Sequence, residues 1–286
     1  MPITVRNVSL TYNAGTPLET AAVKNVSFEI ADGSFVGVMG HTGCGKSTML
    51  QLIDGLLKPD SGEILIDGED INARAYDRAI LRRKVGMVFQ YPEVQLFETT
   101  VEKDVSFGLK HSGLSAQEVG ERVRRALEML GFDYEKVRGK SPLGFSGGEK
   151  RRIAIAGVLA VMPDYLLLDE PIAGLDPLSR ADFLNLLKKL NSEGMTIVMI
   201  SHNANGIAES AERLLVFEDG CLVEDGSVAE VFRDTEGLRR RGLGVSASRE
   251  LAELLNKGGI ELPQDICTYD KLRDALLQRL KGGGAT

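Results

Sequence analysis

Phe35-Val36-Gly37-Val38-Met39 leads into Gly40-His41-Thr42-Gly43-Cys44-Gly45-Lys46-Ser47-Thr48, and Met49-Leu50-Gln51-Leu52-Ile53 follows. The first run is short, continuous and apolar, and reads as a buried strand; the last reads as the start of a helix. Strand, glycine loop, Gly-Lys-Ser and helix make a P-loop in the context that motif requires. Its glycines let the backbone bend until successive N–H groups point inward and cradle phosphate oxygens. The helix N-terminus adds partial positive charge. Lys46 has the reach for β- and γ-phosphates. The Ser47 hydroxyl suits Mg²⁺, a hard cation that takes oxygen ligands. The plainer reading is a glycine-rich turn that merely joins a strand to a helix, and Lys-Ser at this spacing speaks against it.

The rest of the chain sets limits around this loop. Its 286 residues suffice for one large domain or two smaller ones. A hydrophobic share of 43% and a charged share of 26% are ordinary for a globular protein. A net charge of −7 makes the bulk surface a poor nucleic-acid footprint. No run approaches the roughly 18 apolar residues of a membrane span, so membrane association is expected only through a partner. Met-Pro-Ile-Thr-Val-Arg lacks the core of a signal peptide. Cys44, Cys221 and Cys267 are scattered and odd in number, neither a disulfide framework nor a metal spacing. A reducing, cytoplasmic setting is expected.

On the N-terminal side, Ile3 to Tyr12 alternates apolar and polar residues, the sign of a half-exposed strand. Val23 to Ile30 alternates likewise, and Asp32-Gly33 is expected to turn it into the P-loop strand as a hairpin would. Tyr12 is either packing at a strand end or a ring for stacking on a nucleotide base. Beyond the P-loop, Arg74 to Arg83 reads as a polar connection. Val85 to Phe89 reads as a buried strand that ends in Gln90, where an open α/β sheet presents ligands or simply meets solvent. From Thr100 to about Phe145 the strand pattern gives way to helical spacing, opened in part by a Ser115-Ala-Gln-Glu118 capping box. This stretch is expected to be a helical insertion, with Arg122, Arg124 and Arg125 on a wet face.

Phe145-Ser146-Gly147-Gly148-Glu149 opens the next helix, with Ser146 as N-cap and Glu149 completing a capping box. Two glycines after an N-cap disfavour a helix, which makes sense if a phosphate approaches the backbone there. Tyr165-Leu-Leu-Leu-Asp169-Glu170 reads as a buried strand ending in two carboxylates, and Pro171 stops it. Beside a P-loop, Asp169 suits the hydration shell of Mg²⁺, and Glu170 suits the attacking water. Ala173 to Pro177 is a turn containing Asp176. Thr196 to Ile200 is a further buried strand, and His202 just past its end is a candidate γ-phosphate contact.

Taken in order, Gly40 to Thr48, Gln90, Phe145 to Glu149, Leu166 to Pro171, Gly174-Leu-Asp176 and His202 resemble the Walker A, Q-loop, signature, Walker B, D-loop and switch-histidine motifs of the ABC ATPases. The likeness covers about residues 1–235. Within that superfamily the chain is most similar to the ATPases of energy-coupling factor (ECF) transporters, in particular the second of their two ATPases. That likeness rests on Gly40-His-Thr-Gly, Val88 to Phe97, Thr100-Val-Glu-Lys-Asp-Val and Arg151 to Gly157. Two residues depart from the family pattern. Cys44 stands where Ser is usual, next to a helix N-terminus that favours a thiolate, and is an expected point of sensitivity to thiol reagents. Glu149 stands where Gln is common, and a carboxylate near phosphate is unhelpful unless it turns back to cap its own helix.

The resemblance implies an α/β fold: a P-loop (RecA-like) core with an antiparallel β subdomain, an inserted helical subdomain at about 98–160, and a C-terminal helical extension over 236–286. It implies ATP and Mg²⁺ as ligands, with Lys46, Glu170 and His202 catalytic. ATP would meet Tyr12, Gly40 to Thr48 and Gln90, together with Ser146 to Glu149. Ser47, Gln90 and Asp169 would hold the metal, partly through water, and Asp176 would form the D-loop. The implied partners are a second, homologous ATPase, a membrane-embedded coupling subunit and a separate membrane subunit that captures a vitamin or transition-metal ion. The implied location is the cytoplasmic face of the cell membrane. A soluble ABC ATPase uncoupled from transport is the alternative. Tyr91 to Phe97 reads equally as a docking surface and as core. In the tail, Arg239 to Arg241 with Gly242-Leu-Gly244 suggests a linker. Two amphipathic helices follow, at Ser248 to Leu255 and Thr268 to Leu280. Their Leu251, Leu254, Leu255, Leu272, Leu276 and Leu280 serve either an ATPase–ATPase interface or the subunit's own core.

Overall fold

The computed structural model describes residues 2–282. Met1 and the end of the expected extension, 283–286, lie outside the described residues. The strands are β1 (Ile3–Tyr12), β2 (Thr20–Ile30), β3 (Phe35–Gly40), β4 (Ser61–Ile66), β5 (Glu69–Asp70), β6 (Val85–Val88), β7 (Tyr165–Asp169), β8 (Thr196–Ile200), β9 (Arg213–Glu218) and β10 (Cys221–Ser227). They form two sheets: an antiparallel one in the order β2-β1-β4-β5, and a larger one in the order β10-β9-β3-β8-β7-β6. In the larger sheet β9, β3, β8, β7 and β6 run parallel, and β10 closes the edge antiparallel to β9.

The parallel strands explain why their sequences read as unbroken apolar runs: both faces are covered. Side chains along them alternate between two cores. Val36 and Val38 of β3, Leu167 of β7 and Val198 and Ile200 of β8 face the core shared with the antiparallel sheet. Phe35 and Met39, Leu166 and Leu168, and Ile197 and Met199 face the helices on the other side. Each such side chain, once buried, contributes about 1.5–3 kcal/mol. An exposed pair such as Arg6–Glu63 (2.9 Å) contributes about 0–1 kcal/mol, so the packed faces, not the ion pairs, hold the sheets together.

The hairpin expected at Asp32-Gly33 does not form. β2 pairs with β1, while β3 pairs with β8 and β9 in the other sheet. Alternating β2 belongs to a half-solvated antiparallel sheet, whereas all-apolar β3 must sit at the centre of a covered one, so the chain crosses between layers there. The P-loop helix α1 (Lys46–Ile53) lies in the core between the sheets, through Met49, Leu50, Leu52 and Ile53. The stretch before β6 is also more ordered than a polar connection: α2 (Arg78–Lys84) forms, with the Asp77 carboxylate accepting from Ala79 N–H at its start.

Between β6 and β7 the chain is helical: α3 (Val101–Ser106), α4 (Ala116–Met129), α5 (Tyr134–Val137) and α6 (Gly147–Leu159). Ser115 and Glu118 form the capping box that starts α4. Arg124 pairs with Glu135 at 2.8 Å, and Arg122 donates to the Val161 carbonyl, so the arginine face is partly engaged. The remaining helices are α7 (Pro177–Ser192), α8 (Ala204–Ser210), α9 (Val228–Val231), α10 (Thr235–Arg240), α11 (Ala247–Lys257) and α12 (Tyr269–Gly282).

The linker expected at 239–244 is instead anchored. Leu238, Leu243 and Val245 are buried in the main core, and Arg241 pairs with Glu218 and Glu224 of the β9–β10 hairpin. Arg239 and Arg240 are exposed as the run suggests, but the partners of Arg241 lie about twenty residues back along the chain. Beyond it, Ala252, Leu262, Ile266 and Leu272 make a small satellite core with Leu255 and Leu276 against it. Leu251, Leu254 and Leu280 remain exposed. Among the described residues no helix is long and apolar enough to cross a membrane.

Candidate active site

The register of the parallel strands brings their carboxyl ends level: Val38 lies beside Ile200, Ile200 beside Asp169, and Val88 beside Leu168. The segments that leave β3, β6, β7 and β8 meet in one cleft of about 500 Å³. Thr42, Gly43, Lys46 and Ser47 line it with Gln90, Asp169, Glu170 and His202. This is where ligands bind in open α/β sheets.

The loop itself is shaped by left-handed glycines at Gly43 (φ 84°) and Gly45 (φ 100°), with Gly45 serving as the N-cap of α1. A Cβ at Gly45 would stand 2.2 Å from the Ala22 carbonyl oxygen of β2. Strain at φ plus this clash predict that Gly45→Ala costs about 2 kcal/mol or more. The urea midpoint is expected to fall with the slope unchanged; an unmoved midpoint would contradict this reading of the loop. Gly40 has no room either, its virtual Cβ being 2.3 Å from the Phe217 oxygen.

Lys46 is buried, and its ammonium donates to the carbonyls of Gly40 (2.7 Å) and His41 (2.8 Å). It is held at the mouth of the glycine loop by the loop's own backbone. His41 Nε2 stands 3.3 Å from Asp219 on the β9–β10 turn. Tyr12 sits with its hydroxyl 3.3 Å from Thr48 Oγ1, at the flank of the loop helix, with its side chain partly exposed. Cys44 corrects an expectation. Its thiol is 1% exposed and packs inward in the core between the sheets, so thiol reagents do not meet it at the surface.

Glu170 adopts φ 49°, left-handed for a residue with a side chain, and its N–H donates to the Ile200 carbonyl at 3.1 Å. The side chain is buried, and no hydrogen bond reaches Oε1; His202 Nε2 lies 3.5 Å away. Burial first, and the neighbouring Asp169 carboxylate second, push the Glu170 carboxyl up to about 7. A carboxyl so placed is poised to accept a proton near neutral pH. Burial, then the Lys46 charge, holds the His202 imidazole below its ordinary value. Among the described residues there is no cluster of three or more His, Cys, Asp or Glu fit for an all-protein metal cage. The oxygen donors in the cleft suit Mg²⁺ carried on phosphates, which needs only one or two protein ligands.

The signature stretch lies elsewhere in the chain's own fold. Ser146, Gly148 and Glu149 line a second cavity with Asp176, between α4, α6 and α7. Gly147 opens α6 beside them. Glu149 does turn back: its Oε2 accepts from Ser146 N–H (2.9 Å) and Ser146 Oγ (2.7 Å). The Ser146 hydroxyl, then its N–H, hold the Glu149 carboxyl below the usual range. Asp176 caps α7 by accepting from the N–H groups of Leu178 and Ser179.

Sequence reasoning passed over Ser201, Asn203 and Arg180, which also line the first cleft. Asn203 had a readable signal, an Asx cap before α8, where its carbonyl oxygen accepts from Gly206 N–H. Arg151 enters the sequence reading only as the first residue of the Arg151 to Gly157 stretch, with no role in the site. It is buried, and its guanidinium donates to the carbonyls of Ala173 and, at 3.0 Å, Glu170.

Fold and cleft together define the class, an α/β P-loop nucleotide-binding domain. The family model described as ABC transporter matches residues 23–173. An energy-coupling factor transporter ATP-binding protein EcfA2 from Clostridium perfringens is 45% identical over 98% of this chain and 99% of its own length. One of the same description from Caldanaerobacter subterraneus subsp. tengcongensis is 46% identical over 99% of each chain. Among solved structures, cbiO1 from Clostridium perfringens, described as part of the ABC transporter complex cbiONQ, superposes with a TM-score of 0.72 at 36% identity, covering 83% of this chain and 93% of that one. The cassette MJ0796, solved as a dimer in a post-hydrolysis state bound to ADP and Pi, gives 0.71 at 34% identity over 79% and 98%. The chain therefore belongs to the ABC transporter family and, within it, to the energy-coupling factor ATP-binding proteins. It is the ATP-binding and hydrolysing subunit of an ECF-type importer.

Proposed function

We propose that this subunit works in a closed pair with a second, homologous and non-identical ATPase, and that each ATP lies between the P-loop of one and the signature of the other. The observation that carries the reading is the split between the two cavities. One holds the P-loop, Gln90, both carboxylates and His202, and the other holds Ser146, Gly148, Glu149 and Asp176. A lone chain offers phosphate donors from the loop on one wall and leaves the signature for a neighbour. The solved MJ0796 dimer with ADP and Pi supports such a pairing.

In this reading Lys46 and the N–H groups of Gly43 to Thr48 bind the β- and γ-phosphates, and Tyr12 stacks on the base. Gly40, His41 and Thr42 shape the loop's entry. Ser47, Asp169 and, through water, Gln90 hold Mg²⁺, which neutralises phosphate charge when bound. Glu170 orients a water at the γ-phosphorus and takes its proton as the bond to the β–γ bridging oxygen breaks, releasing ADP and phosphate. His202 donates to the γ-phosphate. Ser146, Gly147 and Gly148 of the neighbouring ATPase close over the same phosphate, while Glu149 keeps to its helix cap and Asp176 lies at the seam. Binding closes the pair and hydrolysis releases it.

The chain divides, we infer, into an ATPase domain at 1–235, with the helical insertion at about 98–160, and a C-terminal extension from 236 that joins the two ATPases. Exposed Leu251, Leu254 and Leu280 suit that joint. The membrane partners are a coupling subunit and a separate subunit that captures a vitamin or a transition-metal ion, which places this chain peripherally at the cytoplasmic face of the membrane. The cbiONQ complex of the cbiO1 neighbour supports membrane partners.

Tyr91 to Phe97 suits the coupling contact. Pro92 and Leu96 are buried and fix the segment, while Tyr91, Val94 and Phe97 are exposed. Phe97 stands edge-on to Phe107 at 4.9 Å, extending the apolar patch. Val94→Asp and Phe97→Asp are expected to cut solute uptake in membrane vesicles at least about tenfold, the effect of a charge desolvated in an apolar contact, while ATPase activity of the isolated subunits holds. Equal losses in both assays would remove this surface from coupling.

A further inference from the structure

We propose that Arg151 is a positioning residue for ATP hydrolysis, clamping the turn that carries Glu170 onto the helix that begins at Ser146. The inference rests on the reading of Glu170 given above and goes beyond it.

The turn Glu170-Pro171-Ile172-Ala173 is closed by Ala173 N–H donating to the Glu170 carbonyl at 3.2 Å. Its first residue is held at φ 49°, a conformation that costs a residue with a Cβ about 1–3 kcal/mol and persists only when its surroundings enforce it. Two contacts do so. On the sheet side Glu170 N–H donates to Ile200. On the helix side one guanidinium nitrogen of Arg151 donates to the Glu170 carbonyl at 3.0 Å, and the other donates to the Ala173 carbonyl. One planar fork thus spans both ends of the turn, a geometry that an ammonium cannot copy. Arg151 is 5% exposed; its hydrogen bonds go to these two backbone carbonyls, and none forms at its Nε. Burying a guanidinium is costly unless its donors are satisfied, and here the two backbone oxygens of the turn are what satisfy them. Arg151 sits five residues past the Ser146 cap on α6, so its fork ties the catalytic turn to the signature end of that helix.

The test uses the full chain assembled with its associated subunits. Arg151→Met is expected to lower kcat about 10–100-fold, the effect of misplacing a reacting group by about an ångström, with KM for ATP changed less than about threefold. Arg151→Lys, which keeps the charge but loses the planar fork of two separate nitrogens, is expected to recover part of the loss. The deciding readout is single-turnover hydrolysis in the Glu170→Gln background. There Arg151→Met is expected to cost almost nothing further, because two residues that act through one group are not additive. Multiplied losses in the double variant would overturn the proposal, as would unchanged kcat in Arg151→Met or a raised KM with kcat intact. If Arg151→Met does not fold, the same comparison is made with Arg151→Lys, whose full activity would overturn it equally. Failure of Glu170→Gln to lose turnover would instead refute the reading of Glu170, independently of Arg151.

Discussion

Glu170→Gln leaves ATP binding intact and lowers steady-state hydrolysis about 10²–10⁴-fold, the range a general base contributes. The substitution is nearly isosteric, so the left-handed backbone at 170, the Ile200 contact and the Arg151 clamp all survive. What is lost is the group that accepts a proton. The carboxyl is raised to about 7 by burial and by Asp169, so it can be ionised near neutral pH yet still take a proton readily. A neutral amide at the same place cannot. The check is phosphate release by the assembled subunits alongside nucleotide affinity by titration. Undiminished turnover would take Glu170 out of the chemistry.

Lys46→Ala has the larger reach, since it is expected to impair binding as well as turnover. Each charge-assisted hydrogen bond to a phosphate contributes about 1.5–3 kcal/mol. Loss of the ammonium therefore predicts about 10–100-fold weaker ATP binding, with turnover falling further, because charge stabilisation counts most in the transition state. A second effect comes from the fold. The ammonium satisfies the Gly40 and His41 carbonyls, so its removal strands acceptors at the mouth of the loop. Part of the loss is then a looser loop, visible as a lower thermal midpoint without nucleotide. Unchanged affinity and kinetics would remove the loop from the mechanism.

The sequence made the parallel core legible because strands covered on both faces must be apolar throughout. β3, β7 and β8 could be read directly, and with them the positions of Lys46, Glu170 and His202 at their carboxyl ends. What was not legible depended on contacts between distant residues. The passage from β2 to β3 looks like a hairpin locally and becomes a change of sheet only once β8 and β9 claim β3. Arg239 to Arg241 looks like a solvated linker until Glu218 and Glu224 come into reach of Arg241. Tyr91 to Phe97 and the leucines of the tail each split between packing and exposure, which periodicity over so few residues cannot resolve. Cys44 pointed toward reactivity by type and position, and its burial reverses that. Arg151 is the sharpest case. In sequence it is only the first residue of the Arg151 to Gly157 stretch, and only the fold shows that its partners are two backbone carbonyls of the Glu170 turn.

Titration of Mg·ATP into the purified full chain, alone and with its associated subunits, tests the central claim most directly. The account predicts saturable binding that Lys46→Ala weakens at least about tenfold and Glu170→Gln leaves unchanged. Absence of binding in both preparations would contradict it.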